Sequence, residues 1–202
     1  MQPFNHVQGV AAPLLAANID TDVIMPKQFL KGIDRNGLER GVFFDLRFLE
    51  GGRPNPAFIL NQAPWNDASF LVVGPNFGCG SSREHAVWGL KQLGIRALIG
   101  TTFAGIFYDN CQRNGVLTIQ LEPAQFKRLG EQVSEAQGAA IGIDLPTQRI
   151  TLADGEGIDF TLDALRKEAL LLGLDAIGST LQRSEQIREF EARHLGSNPW
   201  LA

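Results

Sequence analysis

Residues 69–94 read SFLVVGPNFGCGSSREHAVWGLKQLG, and the fold class turns on how this stretch divides. Phe70-Leu71-Val72-Val73 is a short apolar run between turn and polar residues, the pattern of a strand buried on both faces. Gly74, Pro75, Gly78 and Gly80 then crowd into a tight turn. From Ser81 onward the period changes. Ala86, Val87, Leu90 and Leu93 share one helical face, and Gly94 supplies the stop. Strand, glycine-rich turn and helix in this order open a βαβ unit.

Working outward, Ile95 to Ile99 reads as the next strand, Phe103 to Arg113 as a short helix ended by Asn114-Gly115, and Val116 to Leu121 as a third strand. This alternation predicts right-handed βαβ units around a largely parallel sheet. Beyond Pro123 the order changes. A helix runs through about Gln137, and two short strands near 141–145 and 148–153 meet at Pro146-Thr147-Gln148. Phe160-Thr161-Leu162 either adds a strand or leads into a helix from Asp163 to Leu172. A last helix spans roughly Ala176 to His194, its Arg and Glu residues alternating on a partly exposed surface. Upstream, Val7 to Leu15 is an early strand, and Asn18 to Asp22 is a polar loop closed by Pro26. Residues 27–56 are broken by repeated Gly and Pro yet carry Phe43, Phe44, Leu46, Phe48 and Leu49. Such a segment is either core with unrecognised secondary structure or, over 27–48, a lid that folds over substrate. The expected fold is α/β, a largely parallel central sheet with flanking helices. It forms one domain over residues 1–202, with its core at about 5–172 and a C-terminal helical extension at about 173–202.

Composition excludes several classes. The chain has 202 residues, 44% hydrophobic and 20% charged, an ordinary globular balance. With a net charge of −4 and scattered Lys and Arg, no basic stripe is available to neutralise phosphates, so nucleic acid is not the expected partner. The two cysteines, Cys79 and Cys111, form no CxxC pair and cannot fill a four-cysteine site, so no metal is expected on this chain. Met1 to His6 carries no basic segment leading into an apolar one, and the apolar runs fall short of a bilayer span. A cytoplasmic protein without a membrane partner is expected.

The chemistry concentrates at Ser81-Ser82-Arg83-Glu84. Locally this is a capping box, with Ser81 on the Glu84 amide and Glu84 reaching back. The same residues also suit catalysis. A helix N-terminus offers free amides and partial positive charge, which favours an anion and lowers the cost of ionising a serine hydroxyl. Arg83 adds a planar fork matched to a carboxylate. Gly80 lets the backbone approach a ligand closely. His85 follows one turn after Ser81 and reads as a supporting residue more readily than as a base. No GxSxG is present, so acyl transfer is not indicated. Asp20 and Asp22 lie too few in number for a calcium loop and read as groups that bond loop amides or orient Arg83.

Three stretches carry a family resemblance. Gly78 to Ala86 (GCGSSREHA) resembles the signature of the swivelling domain in the aconitase family. Asn18 to Pro26 (NIDTDVIMP) is similar to its second signature, and Phe107 to Gly115 (FYDNCQRNG) to a third. Order and spacing agree with the free-standing small subunits of 3-isopropylmalate dehydratase. The resemblance implies a hydro-lyase of leucine biosynthesis that interconverts 2-isopropylmalate and 3-isopropylmalate through isopropylmaleate. It implies Ser81 as the base, working as an alkoxide, and Arg83, with Ser82, as the carboxylate-binding group. Asp20, Thr21, Asp22, Cys79, Gly80, His85 and Asn110 are implied to support them. The cofactor, a 4Fe-4S cluster, is implied in a larger partner subunit and none on this chain. Cys79 and Cys111 then serve as small packing residues.

Two alternatives stay open. A related small subunit acting on homoaconitate or a methylmalate-like diacid would share Ser81 and Arg83, and Lys31, Arg35, Arg40 and Arg47 could serve a third carboxylate. A phosphate- or nucleotide-binding module would also use a glycine-rich turn into a helix, although GxxxxGK[ST] and GxGxxG are both absent.

Overall fold

Strand β2 (Ala68–Val73) is buried along nearly its whole length, and its alternation divides the hydrophobic core in two. Phe70 and Val72 join one cluster with Ala97, Ile99, Leu117 and Ile119. Leu71 and Val73 join the other, with Ala12, Leu14, Leu98 and Leu90. Successive side chains of a strand point to opposite faces, so a continuous apolar run requires cover on both. In this computed structural model, which describes residues 1–31 and 35–201, helices supply that cover.

The sheet has seven strands: β1 (His6–Leu14), β2, β3 (Ala97–Gly100), β4 (Leu117–Gln120), β5 (Ala140–Asp144), β6 (Arg149–Thr151) and β7 (Gly157–Asp159), in the order β4-β3-β2-β1-β5-β6-β7. Strands β1 to β4 run parallel, while β5, β6 and β7 continue the sheet in antiparallel fashion from β1. The expected α/β class with a mostly parallel core is what the chain forms. Helices α3 (Glu84–Gln92) and α4 (Gly105–Asn114) cover one face through Ala86, Val87, Leu90, Phe107 and Cys111. Helices α5 (Pro123–Val133) and α6 (Ala164–Leu172) cover the other through Leu129, Val133 and Leu170. Full burial of a side chain of this size contributes about 1.5–3 kcal/mol.

Several boundaries differ from the sequence-based expectation. The helix expected from Ser81 begins at Glu84, with Arg83 in the cap position and no side-chain cap. The Ser81–Glu84 capping box therefore does not form, because the Ser81 carbonyl is taken by Thr21 Oγ1 at 2.7 Å. The helix after Pro123 stops at Val133 and is followed by a 3₁₀ turn at Ala136–Gly138. Phe160 to Leu162 form no strand; the third antiparallel strand lies just before them, at Gly157–Asp159. The last helix is two, α7 (Ala176–Leu181) and α8 (Ser184–Ser197).

The long link from β1 to β2 holds α1 (Thr21–Ile24), α2 (Phe44–Arg47) and a series of 3₁₀ turns. Val42 and Phe43 are fully buried, and Phe29, Phe44 and Phe48 stack with centroids 5.0 and 5.2 Å apart. The described part of the 27–48 segment thus packs as core, while residues 32–34 of the expected lid lie outside the described residues. At the other end, the Met1 ammonium donates to the Gly173 carbonyl at 2.6 Å, fastening the N-terminus to the end of α6.

Candidate functional site

Two loops distant in sequence are sewn together beyond the ends of β1 and β2. The Gly78 amide donates to the Ile19 carbonyl at 2.8 Å and the Thr21 amide to the Cys79 carbonyl at 2.9 Å. Asp20 pairs with Cys79 across an isolated bridge and caps α1 by accepting from the Val23 amide. Gly78 is required where it stands. Its φ is +76°, and a Cβ there would lie 2.2 Å from Cγ of Phe107. These bonds present Ser81 and Ser82 at the surface, just before α3.

Arg83 joins the two loops by charge. One guanidinium nitrogen forms a salt bridge with Asp22, and Nη2 donates to Ser81 Oγ at a long 3.5 Å. The Arg83 side chain is only 13% exposed. Its hydrogen bond holds the Asp22 carboxyl below the ordinary carboxylate range. Ser81, Ser82 and Arg83 face Gly105, Ile106 and Phe107 across a pocket of about 130 Å³. Among the described residues, no side chain caps either α3 or α4, and the first turns of both border this pocket. Two partly positive helix ends and an arginine therefore converge on one small space. Its volume falls below the roughly 300–1,000 Å³ of complete small-molecule sites, so these residues form one wall of a site.

Thr21 and Gly80 also line or border this pocket, as expected of supporting residues. His85 stacks on Trp88 at 4.7 Å and does not line it. Asn110 is buried on α4 and is likewise not part of the lining. Asp109 pairs with Arg166 on the surface. Sequence reasoning missed Asn114, which looked only like a helix stop. Its Nδ2 donates to Glu84 Oε1 at 2.8 Å and its Oδ1 accepts from Trp88 Nε1 at 3.1 Å, tying the first turn of α3 to α4. It also missed the first turn of α4 as the facing wall, although the FYDNCQRNG motif begins there.

The cysteines do not suit an iron–sulfur cluster, which needs a set of thiolates. Cys111 is fully buried, and burial pushes its thiol pKa well above the ordinary value; Cys79 is half-buried in the loop pairing with Asp20. Among the described residues, no group of three or more His, Cys, Asp or Glu side chains could hold a metal ion. None of the described helices is long and apolar enough to cross a membrane.

Residues 1–124 match the family model of the aconitase C-terminal domain. A 3-isopropylmalate dehydratase small subunit 1 of Mannheimia succiniciproducens is 60% identical over 100% of this chain and 99% of its own length. This chain belongs to the 3-isopropylmalate dehydratase small-subunit family. A small subunit 2 of Salmonella choleraesuis is 57% identical over 100% of this chain and 96% of its own. Residues 177–202 match a separate model, that of the C-terminal domain of the 3-isopropylmalate dehydratase small subunit. The crystal structure of a 3-isopropylmalate dehydratase (leuD) from Methanocaldococcus jannaschii aligns with TM-score 0.67 and 26% identity, covering 91% of this chain and 99% of that one. Family members are hydro-lyases of the aconitase family, and the designation small subunit implies a large one.

Proposed function

We propose that this chain forms the base-bearing wall of a 3-isopropylmalate dehydratase, closed by a large iron–sulfur subunit. The convergence of Arg83 and two uncapped helix ends beside Ser81 carries the proposal. A serine hydroxyl ionises only where positive charge surrounds it, and this position supplies three such sources. Ser81 as alkoxide then takes the proton from the carbon next to a substrate carboxylate, as hydroxide leaves from the neighbouring carbon. The reverse transfer at rehydration returns the proton to the other carbon, which converts 2-isopropylmalate to 3-isopropylmalate. Arg83 is pinned by Asp22, so its remaining donors and those of Ser82 are left to grip a carboxylate bidentately.

The 4Fe-4S cluster that would take the departing hydroxyl belongs to the large subunit in this scheme, consistent with the ill-suited cysteines here. The whole chain, residues 1–202, acts as one swivelling domain with its core at about 5–172 and a helical extension at 173–202, in the cytoplasm. An apolar side group on the diacid is favoured over a third carboxylate, because the nearby cations are already engaged. Arg47 Nη1 donates to the Glu39 and Val42 carbonyls, and Arg35 lies over the Trp88 ring.

Ser81→Ala, assayed with the large subunit, tests the assignment. Loss of a general base lowers turnover by about 10²-fold or more. The exposed Ser81 caps no helix, so melting should move by no more than about 0.5 kcal/mol and association should persist. Near-normal turnover in the assembled variant would refute the role.

A further inference from the structure

Helices α6, α7 and α8 carry the chain's least satisfied surface. Nine of the fourteen large hydrophobic residues exposed among those described fall between Leu165 and Leu201, so the apolar excess is local. Phe190 is 55% exposed and Leu165 72%. Every residue of α7 and α8 is exposed or half-buried, and such short helices are marginal in water without a packed face. Between α6 and the α7–α8 pair runs a groove of about 760 Å³. Leu165, Leu174, Ile187 and Phe190 form its apolar walls, and Glu168 and Arg183 stand at its polar margin.

We propose that this groove is the seat of the large subunit, which lays an apolar segment with a polar border into it. The proposal rests on the two-subunit scheme above and adds where the two chains are held together.

Two observations select this occupant over a second copy of the chain. First, residues 177–202 match a domain peculiar to small subunits, outside the region matched by the aconitase C-terminal domain. The segment is thus characteristic of chains that must recruit a large partner. Second, the extension is joined to the wall of the Ser81 pocket. Arg166 of α6 pairs with Asp109 and lies over the Tyr108 ring at 4.4 Å, and Gln112 Nε2 donates to the Arg166 carbonyl. Those partners sit on α4, whose first turn lines the pocket and exposes Ile106 by 61%. A partner that closes over Ser81 must approach α4 and reaches α6 beside it. A second copy seated in the groove would leave the Ser81 wall open.

The test compares the full-length chain with Phe190→Asp, Leu165→Asp and a control, Leu49→Asp, exposed by 44% in the link between β1 and β2. Affinity for the cognate large subunit is measured by titration, and turnover at saturating large subunit. Both groove variants should bind roughly tenfold or more weakly, as expected on burying a charge at an interface anchor. The control should bind normally, and turnover should recover at saturation because neither groove residue lines the Ser81 pocket. Melting curves verify that each variant is folded. Unchanged affinity in both groove variants overturns the proposal. So does a free chain that sediments as a dimer, splits on Phe190→Asp and still binds the large subunit normally. An active Ser81→Ala complex would sink the base assignment alone, leaving the docking result to stand by itself.

Discussion

Arg83 reaches back to Asp22, 61 positions upstream, and turns its other nitrogen toward Ser81 Oγ at 3.5 Å. The carboxylate and the hydroxyl share one guanidinium, so the loop carrying Asp22 sets where the arginine's remaining donors point. A planar fork can serve both partners in fixed directions, whereas an ammonium group cannot.

Arg83→Lys should therefore be damaging although it conserves charge. Loss of a charge-assisted hydrogen bond costs about 1.5–3 kcal/mol, which corresponds to roughly ten- to a hundred-and-fifty-fold in kcat/KM. Steady-state kinetics of the assembled enzyme measure it. An unaltered kcat/KM would mean that positive charge alone is needed at this position.

The Asp22–Arg83 pair should leave a signature in acid. Asp22 has its carboxyl held below its ordinary value of 3.8, chiefly by the Arg83 hydrogen bond. A depressed carboxyl stabilises the fold above its unfolded pKa, and that stabilisation is lost as pH falls through the lowered folded value. Asp22→Asn should then melt below the parent by a constant margin above about pH 5, and the margin should shrink below about pH 4. Melting temperatures of both chains across this range provide the check. A margin undiminished at the acid end would show that the pair is not what the asparagine removes.

Gly78→Ala should disturb both stability and chemistry. The added Cβ would meet Phe107 Cγ at 2.2 Å in a backbone with φ +76°. Overpacking of this kind costs about 1–3 kcal/mol, and moving the turn displaces Ser81. Phe107→Ala in the same chain relieves part of the clash, so the double variant should cost less than the two single changes added together. Strict additivity in denaturant titrations would count against the contact.

What the sequence revealed and what it hid have a common physical cause, the range of the interaction. The strand at Phe70 to Val73 and the helix through Leu90 were legible because period-2 and helical burial patterns are local. The start of that helix was misread because Ser81 and Glu84 have capping-box spacing, while the bonds that overrule it come from Thr21 and Asn114. The aromatics of 27–56 were visible as apolar, but nothing local says that Phe43 is fully buried and packs on Phe58 at 5.9 Å. Strand Gly157–Asp159 escaped notice because only Ile158 of its three residues is buried. The break between α7 and α8 occurs at Gln182-Arg183, where neither glycine nor proline marks it. Of the site, the Ser81 turn and the Asp22 partnership could be named beforehand, and the facing wall at Gly105 to Phe107 could not.

The position of β1 has a consequence for the chain as it is synthesised. It is the first strand made and lies fourth in the sheet, between β2 and β5, so its neighbours arrive only with Ala68–Val73 and Ala140–Asp144. At about 5–20 residues per second, translation leaves β1 without its second neighbour for on the order of ten seconds. A flat apolar strand waiting that long on a ribosome would template association with neighbouring nascent chains. Pro13, which lacks an amide donor, and the irregularity at Val10/Ala11 make the waiting strand a poor template while still admitting it to the finished sheet.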